Sequence, residues 1–152
     1  MTRTEKIAII RDFVPRLRAQ IAGLSSEQLT TQYNPPEWTV AQNVHHLVDS
    51  HVNSYVRFKL ILTEDNVTIR PYNQDLFAEL LDAKDANIDD SLLILQGLHA
   101  RWTRMLDNIS DWSKAGYHPE LEKAVTLDDL LDIYSNHCNL HITQIQAVLD
   151  KM

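Results

Sequence analysis

Leu127, Tyr134, His141 and Val148 recur every seven residues near the C-terminus, and Leu130, His137 and Gln144 form a second series offset by three. Two such series make the inward seam of a helix packed in a bundle. Here two imidazoles and an amide hold seam positions where leucine would ordinarily sit. His137 and His141 are four residues apart, so they lie one turn apart on one face. Burying such groups costs free energy unless they are used. Ligation of a metal by neutral imidazole is the leading use.

The rest of the chain supplies partners for that helix. From about Thr4 to Leu24, Ile7, Ile10, Phe13, Val14, Leu17, Ile21 and Leu24 mark one apolar face. Pro15 falls inside this stretch and is expected to bend or divide the helix. Ser25 and Gln28 have the spacing of a capping box, as do Thr39 and Gln42. A second helix is expected from Thr39 to about Thr63, with Val40, Val44, Leu47, His51, Tyr55, Phe58 and Leu62 on its apolar stripe. Asn43, His46, Ser50, Asn53 and Arg57 form a polar line along another edge. Residues 64–88 are less regular, with a short helix expected from Asp75 to Leu81. A third long helix starts near Asp89 or Asp90, with Gly97 as a candidate point of close helix contact. Asp111 to Val125 reads as a loop, and Thr126 caps the last helix. No repeat, linker or low-complexity segment divides residues 1–152, so one all-α, four-helix-bundle domain is the economical reading.

Composition narrows the function. Fourteen Lys plus Arg against twenty-one Asp plus Glu give a formal charge of −7. Without a basic run, nucleic acid and anionic membranes are poor partners. No window approaches eighteen consecutive apolar residues, so no segment reads as membrane-spanning. The single cysteine, Cys138, forms no intramolecular disulfide and fits a reducing, cytoplasmic setting. On a helix, neighbours point ~100° apart, so Cys138 reads as packing rather than as a ligand beside His137.

A catalytic three-ligand site needs one more donor beside His137 and His141. The second helix offers His45, His46 and His51. A plain helical wheel selects His51, which lies in the apolar stripe, and puts His46 on the polar edge. Gln144, one turn past His141, could orient a ligand. His99 and His118 read as surface or loop hydrogen-bonders, and Asp49 and Glu37 as candidate acids near the site. Trp38, Trp102 and Trp112 read as core or loop anchors.

The run Pro36-Glu37-Trp38-Thr39-Val40-Ala41-Gln42-Asn43-Val44-His45-His46-Leu47-Val48-Asp49-Ser50-His51 resembles the DinB superfamily, in its branch of YfiT-like metal-dependent hydrolases and bacillithiol transferases. The likeness continues through Tyr55 to Leu60, Ile69-Arg70-Pro71-Tyr72, Leu98 to Trp102, His118-Pro119-Glu120 and the terminal His137-x-x-x-His141-x-x-Gln144-Ile145. It implies a four-helix bundle holding a divalent metal on three histidines. The family's first ligand, a histidine followed by leucine eight residues after the tryptophan, maps onto His46; the others map onto His137 and His141. The resemblance therefore departs from the wheel and leaves His51, with Gln144, as a pocket or supporting residue. It also implies a homodimer, consistent with Val52, Val56 and Leu60 lying off the main stripe.

Three functions fit these residues. A divalent cation, zinc or nickel first among those imidazole suits, could activate a low-molecular-weight thiol for transfer to an electrophile. It could instead activate water in a hydrolase. Or the metal could be structural, in a non-enzymatic stress-associated protein; a closed set of four ligands would mark that case.

Overall fold

A computed structural model describes residues 1–152. Four long helices carry it: α1 (Arg3–Ile21), α3 (Val40–Thr63), α5 (Asp89–Leu106) and α6 (Leu127–Leu149). Short helices α2 (Ser26–Thr30) and α4 (Gln74–Ala78) and a 3-10 turn at Asp82–Lys84 fill the connections. Helices α1 and α3 each pack on both α5 and α6. The bundle thus runs α1, α5, α3, α6 around its axis.

Local chemistry sets the helix starts. Thr2 with Glu5, Ser25 with Gln28, Thr39 with Gln42 and Thr126 with Asp129 all close reciprocal capping boxes. Each serves two backbone donors that the first turn leaves free. Helix α1 ends at Ile21, three residues before its apolar pattern does, and Gly23 follows in the left-handed region at φ 77°. Pro15 does not divide α1. It sits on the exposed side, where water can serve the carbonyl that lost its partner.

The core runs through all four helices, with Phe13, Leu17, Leu47, Phe58, Leu95, Trp102, Leu127 and Leu131 sealed from solvent. Cys138 belongs to it, and burial pushes its thiol pKa well up, so it is a packing residue and no thiolate. Trp102 and Trp112 are also core members, as expected of anchors.

Two expectations change. The stretch 111–125 is more than a loop: Ala115–His118 (β1) pairs antiparallel with Lys123–Thr126 (β2), Ala115 opposite Thr126. Tyr117 also exchanges backbone hydrogen bonds with Val67 and Ile69, so β1 is served on both edges. Gly116 lets this hairpin close on α3, because a Cβ there would lie 3.2 Å from Ile61 and Ile69 side-chain carbons. Four-residue strands are too short to display an alternating pattern. Gly97, by contrast, marks no close contact; a Cβ there would meet nothing within 4 Å. The hairpin matters because β2 delivers the chain into the α6 cap at Thr126, which sets where the α6 histidines fall.

Candidate metal centre

Helices α3 and α6 pack side by side, and their facing polar positions meet at one place. His46 comes from α3, and His137 and His141 from successive turns of α6. Their ring nitrogens lie within 4.8 Å of one another, a group capable of holding a metal ion. His137 Nε2 is 3.3 Å from His46 Nε2 and 3.1 Å from His141 Nε2. Tetrahedral ligation with bonds of about 2.0–2.1 Å puts nitrogen ligands about 3.3 Å apart. The two spacings at His137 therefore suit a tetrahedral cation. No Asp, Glu or Cys completes the group.

The protons on these rings can be assigned from their partners. Asn43 Nδ2 donates to the Thr39 carbonyl at 2.9 Å, which orients its amide and leaves Oδ1 as an acceptor. Oδ1 lies 2.8 Å from His141 Nδ1, so that nitrogen carries the proton. His141 Nε2 is then a bare lone pair. His51 Nε2 lies 3.1 Å from His137 Nδ1, behind the cluster. His46 Nδ1 is buried without a partner, so the contact of its Nε2 with His137 Nε2 at 3.3 Å is what bears on that ring's tautomer.

Burial is the main force on all three ionisations. It lowers His46 to about 4, opposed slightly by Asp75. It lowers His137 to about 3, assisted by His46, and His141 to about 2, assisted by His137 and His46. All three rings are neutral at pH 7, as metal ligands must be.

The cluster opens into a cavity of about 600 Å³, lined among others by Trp38, Asn43, Asp75, Leu140 and Gln144. The Trp38 ring covers His46 at 4.7 Å between centroids. A second cavity, about 440 Å³, reaches His137 from its other side past Ser50, Arg57, Tyr72 and Tyr134. Asp75 and Gln74 line both. Arg57 donates to the Tyr134 hydroxyl at 2.9 Å and the Arg70 carbonyl at 2.8 Å.

The other candidate residues distribute as follows. His51 is fully buried, as the wheel required, but lies behind His137 rather than in the cluster. His45 ties α3 to the start of α5 through Ser91 and the Asp85 carbonyl, away from the site. Gln144 lines the cavity and hydrogen-bonds none of the three histidines. Glu37 lines it too, whereas Asp49 does not. His99 is a correction: it is 3% exposed, not a surface residue, and contacts His51. Asn43 and Asp75 were not singled out from sequence. Asn43 had a signal, since it lies three residues before His46 on the same polar line.

Known proteins agree with this architecture. The family model described as the DinB superfamily matches residues 13–145. A Bacillus subtilis protein named "Putative metal-dependent hydrolase YfiT" is 40% identical over 148 residues, covering 96% of this chain and 83% of that one. A Geobacillus thermodenitrificans relative named in the same terms is 39% identical, covering 95% and 82%. A solved structure of YfiT from Bacillus subtilis superposes with a TM-score of 0.93 at 39% identity, covering 99% of this chain and 87% of that chain. It is described as a probable metal-dependent hydrolase with an unusual four-helix bundle topology. Together with the three-histidine cluster, these names support a metal-dependent enzyme that takes a divalent cation.

Proposed function

The chain belongs to the DinB superfamily, and from that premise we propose that it is a metal-dependent thiol S-transferase, with His46, His137 and His141 as the ligands of a divalent cation. The observation that carries this reading is three neutral imidazole nitrogens facing one open cavity with no fourth protein donor. When bound, the cation supplies Lewis acidity toward a small molecule in that cavity. Three neutral ligands leave its double charge uncompensated, which favours an anionic thiolate beside it. A free thiol titrates near 8.5, so a modest lowering gives thiolate at neutral pH. Water starts near 15.7 and asks for far more.

The chain's own groups handle the rest. Trp38 and Leu140 give the cavity apolar wall, and Gln144 and Asn34 offer it amide hydrogen bonds. The Glu37 and Asp75 carboxylates on the same cavity can receive the thiol proton. The sulfur then forms a bond to an electrophilic carbon, and the leaving group departs with the electron pair of the bond that breaks. Zinc and nickel are the cations we favour, since imidazole suits both. A homodimer in the cytoplasm fits the partly exposed Val52 and Val56 on α3 and the lone free thiol.

The second reading is a hydrolase, favoured by the names of the relatives and by Asp75, a carboxylate on the cavity available as a base. One metal-loaded preparation separates the two. We expect conjugation of a small thiol to a general electrophile, lost without metal and lost in His137→Ala. Turnover of an ester or amide without added thiol, also lost in His137→Ala, would replace the transferase with the hydrolase. A site closed by a fourth protein ligand would instead indicate a structural metal.

A further inference from the structure

We propose that His99 and His51 form a hydrogen-bond relay, anchored on the Ile10 carbonyl, that positions His137 by fixing which of its nitrogens carries the proton. The relay touches each long helix once: Ile10 on α1, His99 on α5, His51 on α3 and His137 on α6. His99 Nδ1 lies 2.7 Å from the Ile10 carbonyl oxygen. His51 Nδ1 lies 2.8 Å from His99 Nε2, and His51 Nε2 lies 3.1 Å from His137 Nδ1.

The direction of every bond follows from its first member. A carbonyl oxygen only accepts, so His99 Nδ1 carries a proton and donates it. The His99 ring is then bare at Nε2 and accepts from His51 Nδ1. His51 is in turn bare at Nε2 and accepts from His137 Nδ1. That leaves the His137 lone pair on Nε2, aimed at the cluster. Reversing any one bond sets two lone pairs or two protons against each other. Reversing all of them turns a bare nitrogen onto the Ile10 carbonyl.

The setting makes such errors costly. His51 is 0% exposed and His99 3% exposed, with Phe13, Trp102 and Tyr134 rings packed around them. At that burial a mismatched pair leaves a desolvated donor or acceptor without a partner, which favours the one self-consistent direction. One consequence follows for the cluster. The relay gives His137 a bare Nε2, and Asn43 independently gives His141 one. The two lone pairs face each other at 3.1 Å, a contact that no proton bridges and that a cation would relieve. His137 is thus held by an imidazole where ligand histidines ordinarily rest on a carboxylate, a carbonyl or water.

The relay bears on the metal centre proposed above, and the test keeps the two separable. Histidine-selective ¹⁵N labelling of the metal-free, folded protein reports the protonated nitrogen of each ring. We expect His99, His51 and His137 all protonated at Nδ1 and bare at Nε2. A proton resident on His137 Nε2 overturns the relay, whatever metal does. Affinity for zinc is measured alongside in two variants. His51→Gln keeps a side-chain oxygen near the position of Nε2 and should bind within a few-fold of the native chain. His51→Leu removes the acceptor, and should lose roughly 10–100-fold in affinity while His137 populates both tautomers. Equal affinities in the two variants, with His137 unchanged in both, would also overturn the relay. If the native chain shows the expected tautomers yet takes up no metal, the relay stands and the metal centre falls.

Discussion

Replacing His137 with Ala should remove stoichiometric metal binding. Two imidazoles one turn apart act as a chelate, and the remaining pair, His46 and His141, comes from different helices without that preorganisation. Affinity should fall by well over about 100-fold, more than loss of a supporting hydrogen bond costs. The fold should survive. His137 is only partly buried, and in the metal-free protein its removal relieves the lone-pair contact with His141. Added zinc should raise the melting temperature of the native chain and leave that of the variant unmoved. His46→Ala should also weaken binding, though by less than His137→Ala, because it leaves the one-turn chelate of His137 and His141 in place. Tight, stoichiometric metal retained in a His137→Ala, His141→Ala double variant would eliminate the site.

Acid should unfold the metal-free protein in a window set by histidine. Burial holds His46 and His99 near 4 and His137 near 3, against an ordinary value of 6.5. In the unfolded chain these rings take up protons once pH falls below about 6.5, while the folded rings stay neutral. The unfolded state then binds more protons, so stability falls on acidification. It is fully present above about 6.5 and is lost progressively toward 4. A single ring lowered to about 4 accounts for about 3 kcal/mol by pH 4. Several coupled rings together rival the whole stability of a domain this size, about 5–15 kcal/mol. The paired carboxylates, Asp128 beside Arg3 and Asp129 within the Thr126 cap, are held below their usual range and matter only at lower pH. Tryptophan fluorescence and circular dichroism against pH should therefore show unfolding begin well above pH 4. Zinc should displace the transition to lower pH, because it binds only the neutral rings. A metal-free protein with flat stability from pH 7 to 4.5 would contradict the burial of these imidazoles.

Much of this was legible in the chain. Apolar periodicity located the four long helices, because each buries a stripe, and capping residues marked the starts of α3 and α6 at Thr39 and Thr126; α5 starts at Ile88 without a side-chain cap. The α6 seam announced His137 and His141 directly. His46 was harder. It lies on the polar line of α3, and the wheel preferred His51. The buried surface of α3 is wider than one stripe, taking in Asn43, His46 and Ser50 as well as His51. The family resemblance could choose between the two histidines where the periodicity could not.

His99 shows the opposite failure. Leu92, Leu95, His99, Trp102 and Leu106 follow the alternating three-and-four spacing of a buried seam, and all five are buried. Leu98, one position earlier and only partly buried, competes for the same stripe, and leucine is the commoner core residue. The rule that flagged histidines at seam positions of α6 would have found His99 on α5. The hairpin 115–126 left no comparable trace. Its strands are short, and what holds β1 on its second edge is the backbone of Val67 and Ile69, far away in sequence.

The most direct measurement is anomalous diffraction from crystals of protein prepared without a metal-affinity column and given one equivalent of zinc, recorded on both sides of the zinc edge. The predicted result is one peak about 2.0–2.1 Å from the Nε2 atoms of His46, His137 and His141, with its remaining positions open to the cavity. A peak elsewhere, one ligated by His51, or one closed by a fourth side chain would contradict the three-histidine centre.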